Sequence, residues 1–173
     1  KSIEVDLKSD EGKKIFFGLL DQVDIITENF KPGTMEKLGL GYETLKEKKP
    51  EIIYAAMSGF GHTGPYSPRP AYDMIVQAMG GIMSITGQPG GEPTRVGTSI
   101  GDITAGMFGA IGILAALNHR NLTGEGQKVD IAMLDGQIAI LENALARYSA
   151  TGVSPVALGA RHPSIAPFEA FKA

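Results

Sequence analysis

The chain has 173 residues, with 16 Lys and Arg against 19 Asp and Glu, and a formal charge of −3. This length, with 43% hydrophobic residues, predicts one folded domain and excludes a disordered tail. The slightly acidic balance argues against a dedicated nucleic-acid binder. The absence of cysteine excludes disulfides, thiolate zinc sites and a cysteine nucleophile. The longest apolar stretch, Ile103 to Leu117, is shorter than the roughly 20 residues of a membrane span, so we expect a cytoplasmic chain with no membrane partner.

The first third of the chain alternates strand and helix patterns. Ile3–Leu7 alternates apolar and charged residues, as a strand does, and Ser9 has the position of a helix N-cap. The further elements predicted here are a strand over Asp24–Phe30, short helices over Thr34–Leu38 and Tyr42–Lys48, and a strand over Glu51–Phe60. Strands joined by helices at this spacing predict a parallel sheet with crossover helices, an α/β fold.

The rest of the chain is rich in Gly and Pro loops. We predict a loop over 61–70, a helix over Asp73–Ile85 broken near Gly80-Gly81, a loop over 86–101, a helix from Asp102 to about His119, a strand over Lys128–Leu134, a helix over Gln137–Ala150, and a loop from Thr151 to Ala173. On the helix after Asp102, four small residues share one face: Ala105, Gly109, Gly112 and Ala116. This face predicts a close packing partner, either the sheet or another subunit.

Residue types alone leave few candidates for chemistry. The chain has no GxxxxGK[ST], HExxH or GxSxG motif. His62 and His119 are best explained as structural, and His162 lies in a polar turn. These histidines are far apart in sequence, so we predict no metal site. Three aspartates, Asp73, Asp102 and Asp135, stand at predicted helix starts, where a carboxylate is typically a cap. A desolvated carboxylate can also attack an activated acyl group, and local sequence does not choose between the two roles.

A series of longer motifs resembles one family. The motifs are Glu28-Asn29-Phe30-Lys31-Pro32-Gly33, Leu38-Gly39-Leu40-Gly41-Tyr42, Ser58 to Tyr66 (SGFGHTGPY), Pro93 to Gly97 (PTRVG), Gly101-Asp102, Ile111 to Leu117 (IGILAAL), Thr123 to Gln127 (TGEGQ) and Arg161 to Pro167 (RHPSIAP). Together they are similar to the class III CoA-transferases, relatives of the α-methylacyl-CoA racemases. The resemblance extends over essentially the whole chain.

This resemblance implies a fold, a site and partners. The fold would be α/β, a Rossmann-like parallel sheet with crossover helices, within the large CoA-binding domain. Residues 1–173 would be a central piece of that domain, without the family's N-terminal strand, small domain and C-terminal return segment. The implied nucleophile is Asp102, which leaves Asp135 as a cap. The implied CoA contacts are Lys8, Asn29, Phe30, Lys31, Lys37, Leu38, Tyr72 and Asp73. Many members have Arg where this chain has Lys37.

The implied reaction moves CoA from an acyl-CoA to a small carboxylic acid through an aspartyl anhydride and an aspartyl-CoA thioester. CoA is then a substrate, with no tightly bound cofactor or metal, and the family's interlocked homodimer is expected. Two alternatives stay open. A racemase would use a His/Asp pair, but Tyr72 stands where racemases have His. A chain of this length could also be a non-catalytic binding or assembly module.

Overall fold

The structure, a computed structural model, describes residues 1–171. Its elements in chain order are α1 (Asp10–Leu20), β1 (Ile25–Glu28), α2 (Thr34–Lys37), α3 (Tyr42–Lys48), β2 (Ile53–Ser58), α4 (Asp73–Met79), α5 (Ile82–Ile85), α6 (Ile100–Thr123), β3 (Lys128–Ala132), α7 (Met133–Ala139) and α8 (Asn143–Thr151). The chain divides into two compact units: the first comprises Lys1–Pro70 and Gly106–Ala132, the second Ala71–Ala105 and Met133–Ala173. Helix α6 runs across this division.

The first unit is built on a three-stranded parallel sheet in the order β1-β2-β3. Ile25 pairs with Ile53, and Tyr54 pairs with Lys128 on the other side of β2. The central strand is therefore the most buried one. The core on one side of the sheet contains Leu20, Met35, Leu40, Leu45, Ile52, Tyr54 and Ala56. The predicted α/β fold with parallel strands is confirmed.

The start of the chain differs from the sequence prediction. Residues 1–6 have no regular structure and a turn follows, so the strand predicted over Ile3–Leu7 is wrong. None of the strands within residues 1–171 pairs with it, and Ile3 is 65% exposed. The N-cap of α1 is confirmed, because the Ser9 hydroxyl accepts the Gly12 N–H at 3.0 Å. That bond satisfies one of the free donors at the helix start.

In the first unit, helix α6 packs closely on the sheet through its glycines. A Cβ on Gly112 would stand 2.6 Å from Val129 Cγ1, and one on Gly109 would stand 3.3 Å from Met57 Sδ. Val129 lies on β3 and Met57 on β2. The small-residue face therefore meets the sheet, which confirms the first of the two arrangements predicted for it.

Helix α6 is longer than its sequence pattern predicted. It has 24 residues. A stretch of 18 residues within it has a mean hydropathy of 1.8, and 28% of that stretch is buried. Among the described residues it is the one helix long and apolar enough to cross a membrane, by length and composition only. One such helix is weak evidence for a membrane span, because the core helix of a soluble protein passes the same test.

The second unit contains α4, α5, α7, α8 and the start of α6. The predicted break at Gly80-Gly81 is confirmed, since Gly81 has φ +88° and separates α4 from α5. Strand β3 ends at Ala132 and α7 begins at Met133, so the predicted strand end at Leu134 and helix start at Gln137 are wrong. The predicted loop after α8 is confirmed for 152–171, and its last two residues lie outside the described residues.

Candidate active site

Asp102 lies in the first turn of α6, two residues after the helix begins at Ile100. It is therefore inside the helix, and the helix start predicted at Asp102 lies two residues too late. The hydrogen bonds and ion pairs found within residues 1–171 do not involve its carboxylate. Both carboxylate oxygens are available to a reacting partner.

Asp73 supplies the cap that Asp102 does not. Its Oδ1 accepts the Gly101 N–H at 2.8 Å, at the beginning of α6. Its Oδ2 accepts Gln77 Nε2 at 2.8 Å, one helical turn further along α4. A Cβ on Gly101 would stand 2.6 Å from Val76 Cγ2 and 3.1 Å from Asp73 Oδ1. Glycine at 101 therefore permits the close approach of α4, and Asp73 holds the helix start in place.

Two buried glutamines extend this support. Gln77 is fully buried, and its Oε1 accepts the Val96 N–H at 2.8 Å, which fixes the loop that leads into α6. Gln137 on α7 is also fully buried and donates to the Thr104 hydroxyl at 3.4 Å. Sequence reasoning missed both glutamines. The i, i+4 spacing of Asp73 and Gln77 on a helix is a signal that could have found the first.

The pKa of Asp102 is shifted by its surroundings. Partial burial raises the pKa of its carboxyl above the ordinary value, and the negative charge of Asp73 raises it further. A carboxylate with a raised pKa is a stronger base and, once ionised, a better nucleophile toward an acyl group.

The first unit holds the segment Asn29–Lys31, directly after β1. The Asn29 side-chain amide donates to the Met57 carbonyl at 2.8 Å, and the Phe30 N–H donates to Glu28 Oε2 at 2.6 Å. These two bonds fix the backbone of the turn. The Phe30 ring is 48% exposed, and the side chain of Lys31 is exposed as well. The turn thus presents an aromatic face and a cation to solvent.

Glu28, which holds this turn, is a buried carboxylate that sequence reasoning did not single out. The Tyr54 hydroxyl donates to its Oε1 at 3.2 Å, and His62 Nε2 lies 3.5 Å from the same oxygen. Burial, together with the Glu28 charge, raises the pKa of Tyr54 above its ordinary value, so the phenol keeps its proton and donates it. His62 Nδ1 faces Lys128 Nζ at 3.1 Å. Since an ammonium can only donate, the neutral imidazole carries its proton on Nε2, toward Glu28.

The remaining predicted contacts fall into both units. Lys8 precedes α1, Lys37 is the last residue of α2, and both side chains are exposed. Leu38 is half-buried after α2. Tyr72 precedes α4 and is 79% exposed. The structure therefore groups Lys8, Asn29, Phe30, Lys31, Lys37 and Leu38 in the first unit, and Tyr72, Asp73 and Asp102 in the second.

Another sequence candidate, Asp135, has different surroundings. Asp135 lies in the first turn of α7 and is exposed, so the cap position predicted for it is wrong. Within residues 1–171, no three His, Cys, Asp or Glu side chains lie together as a metal site would require.

Comparison with known proteins identifies the family. The chain belongs to CoA-transferase family III, whose model matches residues 1–173. It is 46% identical to a succinyl-CoA:mesaconate CoA-transferase of Haloarcula hispanica and 49% identical to an acetyl-CoA:oxalate CoA-transferase of Acetobacter aceti. Both matches cover 100% of this chain and 45% of the relative. The chain thus spans about half the length of these relatives.

A solved structure supports the same assignment. A CaiB/BaiF family protein from Brucella suis superposes with a TM-score of 0.92 at 43% identity, covering 98% of this chain and 45% of that one. The family resemblance deduced from the motifs is confirmed.

Proposed function

We propose that the natural protein containing this chain is a CoA-transferase in which Asp102 is the nucleophile. The observation that carries the proposal is the division of roles at the start of α6. Asp73 caps the helix, which leaves the Asp102 carboxylate unpaired among the described residues. Partial burial, together with the negative charge of Asp73, raises the pKa of that carboxyl. The relatives named above transfer CoA between an acyl-CoA and a carboxylic acid.

The proposed reaction has four steps. The Asp102 carboxylate attacks the thioester carbonyl, the C–S bond breaks, and CoA leaves as a thiolate with an aspartyl anhydride formed. The thiolate then attacks the Asp102 carbonyl and releases the donor acid, which gives an aspartyl-CoA thioester. The acceptor carboxylate attacks the carbonyl of that thioester, which breaks the C–S bond, releases the thiolate again and forms a second aspartyl anhydride. Attack of the thiolate on the acceptor's carbonyl forms the new acyl-CoA and regenerates Asp102.

The first unit is proposed to bind CoA. Lys8, Lys31 and Lys37 carry exposed ammonium groups suited to phosphates. The exposed Phe30 ring can cover an aromatic base, and Asn29 and Leu38 complete the expected contacts. Tyr72 and Asp73 are proposed to border the thioester. A homodimer and a cytoplasmic location are expected from the family and remain proposals.

The test uses Asp102→Asn in the natural protein. Asn retains the size of the side chain but lacks the attacking anion, so CoA transfer is expected to fall by several orders of magnitude with little change in folding. Incubation of the unaltered protein with acyl-CoA should give a hydroxylamine-sensitive adduct on Asp102, located by mass spectrometry. An adduct on Asp135, or near-normal transfer by Asp102→Asn, would refute the assignment.

The same preparation separates the alternatives. A racemase exchanges the α-hydrogen of its substrate in D₂O, whereas a transferase is expected not to. A non-catalytic module would give neither transfer nor adduct.

A further inference from the structure

A network of side chains lies behind the turn Asn29–Lys31, and the proposed reaction makes no use of it. We name it the glutamate network, after Glu28, which is joined by Tyr54, His62 and Lys128. All four residues belong to the first unit. The side chains of Glu28 and His62 are only 4% and 7% exposed. A buried carboxylate is costly unless donors surround it, so the groups that face Glu28 determine where it sits.

Glu28 links the turn to the central strand of the sheet. Its Oε2 accepts the Phe30 N–H at 2.6 Å, and its Oε1 accepts the Tyr54 hydroxyl at 3.2 Å. The first bond fixes the peptide between Asn29 and Phe30, and with it the direction in which the Phe30 ring leaves the turn. The exposed ring and the ammonium of Lys31 therefore depend on the position of a buried carboxylate.

His62 is a second neighbour of that carboxylate. Its Nε2 is buried, makes no hydrogen bond within residues 1–171, and lies 3.5 Å from Glu28 Oε1. Its Nδ1 lies 3.1 Å from Lys128 Nζ. Because an ammonium can only donate, the proton of the neutral ring is on Nε2. This N–H faces the Glu28 carboxylate, so the two side chains attract each other.

Strand β3 fixes the loop that carries His62. The His62 backbone N–H donates to both carboxylate oxygens of Asp130, at 2.9 and 3.1 Å. Lys128 and Asp130 are two positions apart on β3, so their side chains stand on the same face of the strand. One of them holds the ring of His62 and the other its backbone.

We propose that Glu28 and His62 are positioning residues for coenzyme A. Strand β3 orients His62, His62 holds the Glu28 carboxylate, and Glu28 fixes the turn that presents Phe30 to the nucleotide end of CoA. The proposal rests on the proposed function, because it takes the turn after β1 as part of the CoA site. It deepens that function by assigning the buried groups that set the shape of the site without touching CoA.

The first experiment replaces His62 by each of two amides in the natural protein. Gln is long enough to place its NH₂ group where Nε2 stands, so it retains a donor toward Glu28. Asn is one methylene shorter and reaches only the position of Nδ1. His62→Asn is expected to raise the Kd for CoA about three- to tenfold, the equivalent of one net hydrogen bond. His62→Gln should stay within about twofold of the unaltered protein. Calorimetry measures both.

A kinetic measurement separates positioning from folding. An acyl-CoA and the acyl-pantetheine thioester of the same acid differ by the nucleotide, the part that the turn is proposed to contact. His62→Asn should raise KM for acyl-CoA, keep kcat within about twofold, and leave kcat/KM for acyl-pantetheine unchanged. A merely structural role would lower kcat for both thioesters in proportion, because less of the protein would be folded.

Tyr54→Phe gives a second test, which also applies if His62→Asn does not fold. It removes the hydroxyl that donates to Glu28 Oε1 and retains the ring, so the Kd for CoA should rise in the same way. Tyr42→Phe is the matched control. The Tyr42 ring lies 6.0 Å from that of Tyr54, but its hydroxyl is not among the donors to Glu28 within residues 1–171. Its removal should leave the Kd unchanged.

An unchanged Kd and KM in folded His62→Asn and Tyr54→Phe overturns the proposal. So does a loss of affinity in His62→Gln as large as in His62→Asn, because the donor at Nε2 would then have no effect. Lys31→Glu separates this outcome from that of the proposed function. If Lys31→Glu weakens CoA binding and the network variants do not, the network proposal fails alone. If none of these variants does, the CoA site assigned to the turn fails as well.

The nucleophile is tested independently of the network. If Asp102→Asn retains transfer while His62→Asn weakens CoA binding, the nucleophile assignment fails and the network stands.

Discussion

The carboxylates of Asp73 and Asp102 serve one helix start but have different partners. Both oxygens of Asp73 accept hydrogen bonds, from Gly101 and Gln77. Asp102, one residue after Gly101, holds none within the described residues. Because the two aspartates are 29 positions apart in sequence, no local pattern reveals which of them caps α6. The sequence predicted Asp102 at the helix start. The packing of α4 shows that Asp73, and not Asp102, accepts the hydrogen bond from the first turn of that helix.

Asp102→Asn should change stability in a pH-dependent way. The pKa of Asp102 is raised in the native state by burial and by Asp73, so ionisation of this group opposes folding. That penalty is absent below the unfolded-state pKa, about 3.9, and develops as pH rises through the native value. The variant should therefore have a higher Tm than the natural protein at pH 7 and the same Tm near pH 3.5. Thermal unfolding at both values is the measurement, with Asp135→Asn as the control for a charge removed from a first helical turn.

Glu28→Gln should destabilise the first unit. Glu28 is 7% exposed and accepts hydrogen bonds from the Phe30 N–H and the Tyr54 hydroxyl. A glutamine offers one oxygen, so one of these donors meets an NH₂ group instead, at a cost of about 1–3 kcal/mol. Urea unfolding measures this loss in the free energy of unfolding. Glu51→Gln, at an exposed position, should stay within about 0.5 kcal/mol of the natural protein. Equal effects of the two substitutions would contradict the role given to Glu28.

The helices and strands differ in how well local sequence patterns predict their ends. Helix α3 has the bounds that its sequence predicts, Tyr42–Lys48, because apolar spacing and Pro50 define both ends locally. The strand predicted over Ile3–Leu7 failed because alternation does not create a neighbour to pair with. The junction of β3 and α7 was also misplaced, since no turn residue separates Ala132 from Met133. Caps and periodicity are local, whereas strand pairing is a property of the assembled sheet.

Gly112→Ala should destabilise α6 on the sheet. Its new Cβ would stand 2.6 Å from Val129 Cγ1, and overpacking of this kind costs about 1–3 kcal/mol. Gly106→Ala is a matched control in the same helix, because nothing lies within 4 Å of its added Cβ. It should stabilise the protein by up to about 1 kcal/mol through helix propensity. Chemical denaturation compares them, and stabilisation by both would show that the helix does not press on β3.

At the scale of the whole molecule, the proposed functions are distributed between the two units. The expected CoA contacts from Lys8 to Leu38 belong to the first unit, and Tyr72, Asp73 and Asp102 belong to the second. Helix α6 is shared by both. Binding of CoA and chemistry at Asp102 are therefore expected to be separable by mutation.

Lys37→Glu should weaken CoA binding without removing the chemistry. Reversing an exposed charge beside a phosphate should raise the Kd for CoA about five- to tenfold. At saturating acyl-CoA, the adduct on Asp102 should still form. Lys14→Glu, at an exposed position on α1, is the control and should leave the Kd unchanged. Calorimetry gives the answer, and an unaltered Kd in Lys37→Glu would remove this residue from the site.

The hydrogen bond from the Val96 N–H to Gln77 limits where the loop before α6 can gain or lose residues. It anchors the loop five residues before Gly101. Residues inserted between 96 and 101 would push Asp102 away from Asp73. Residues inserted at Gly90, where an added Cβ would meet nothing within 4 Å, fall upstream of the anchor and would be absorbed as a longer surface turn. Insertions and deletions compatible with activity should therefore collect near Gly90 and be absent from 96–101.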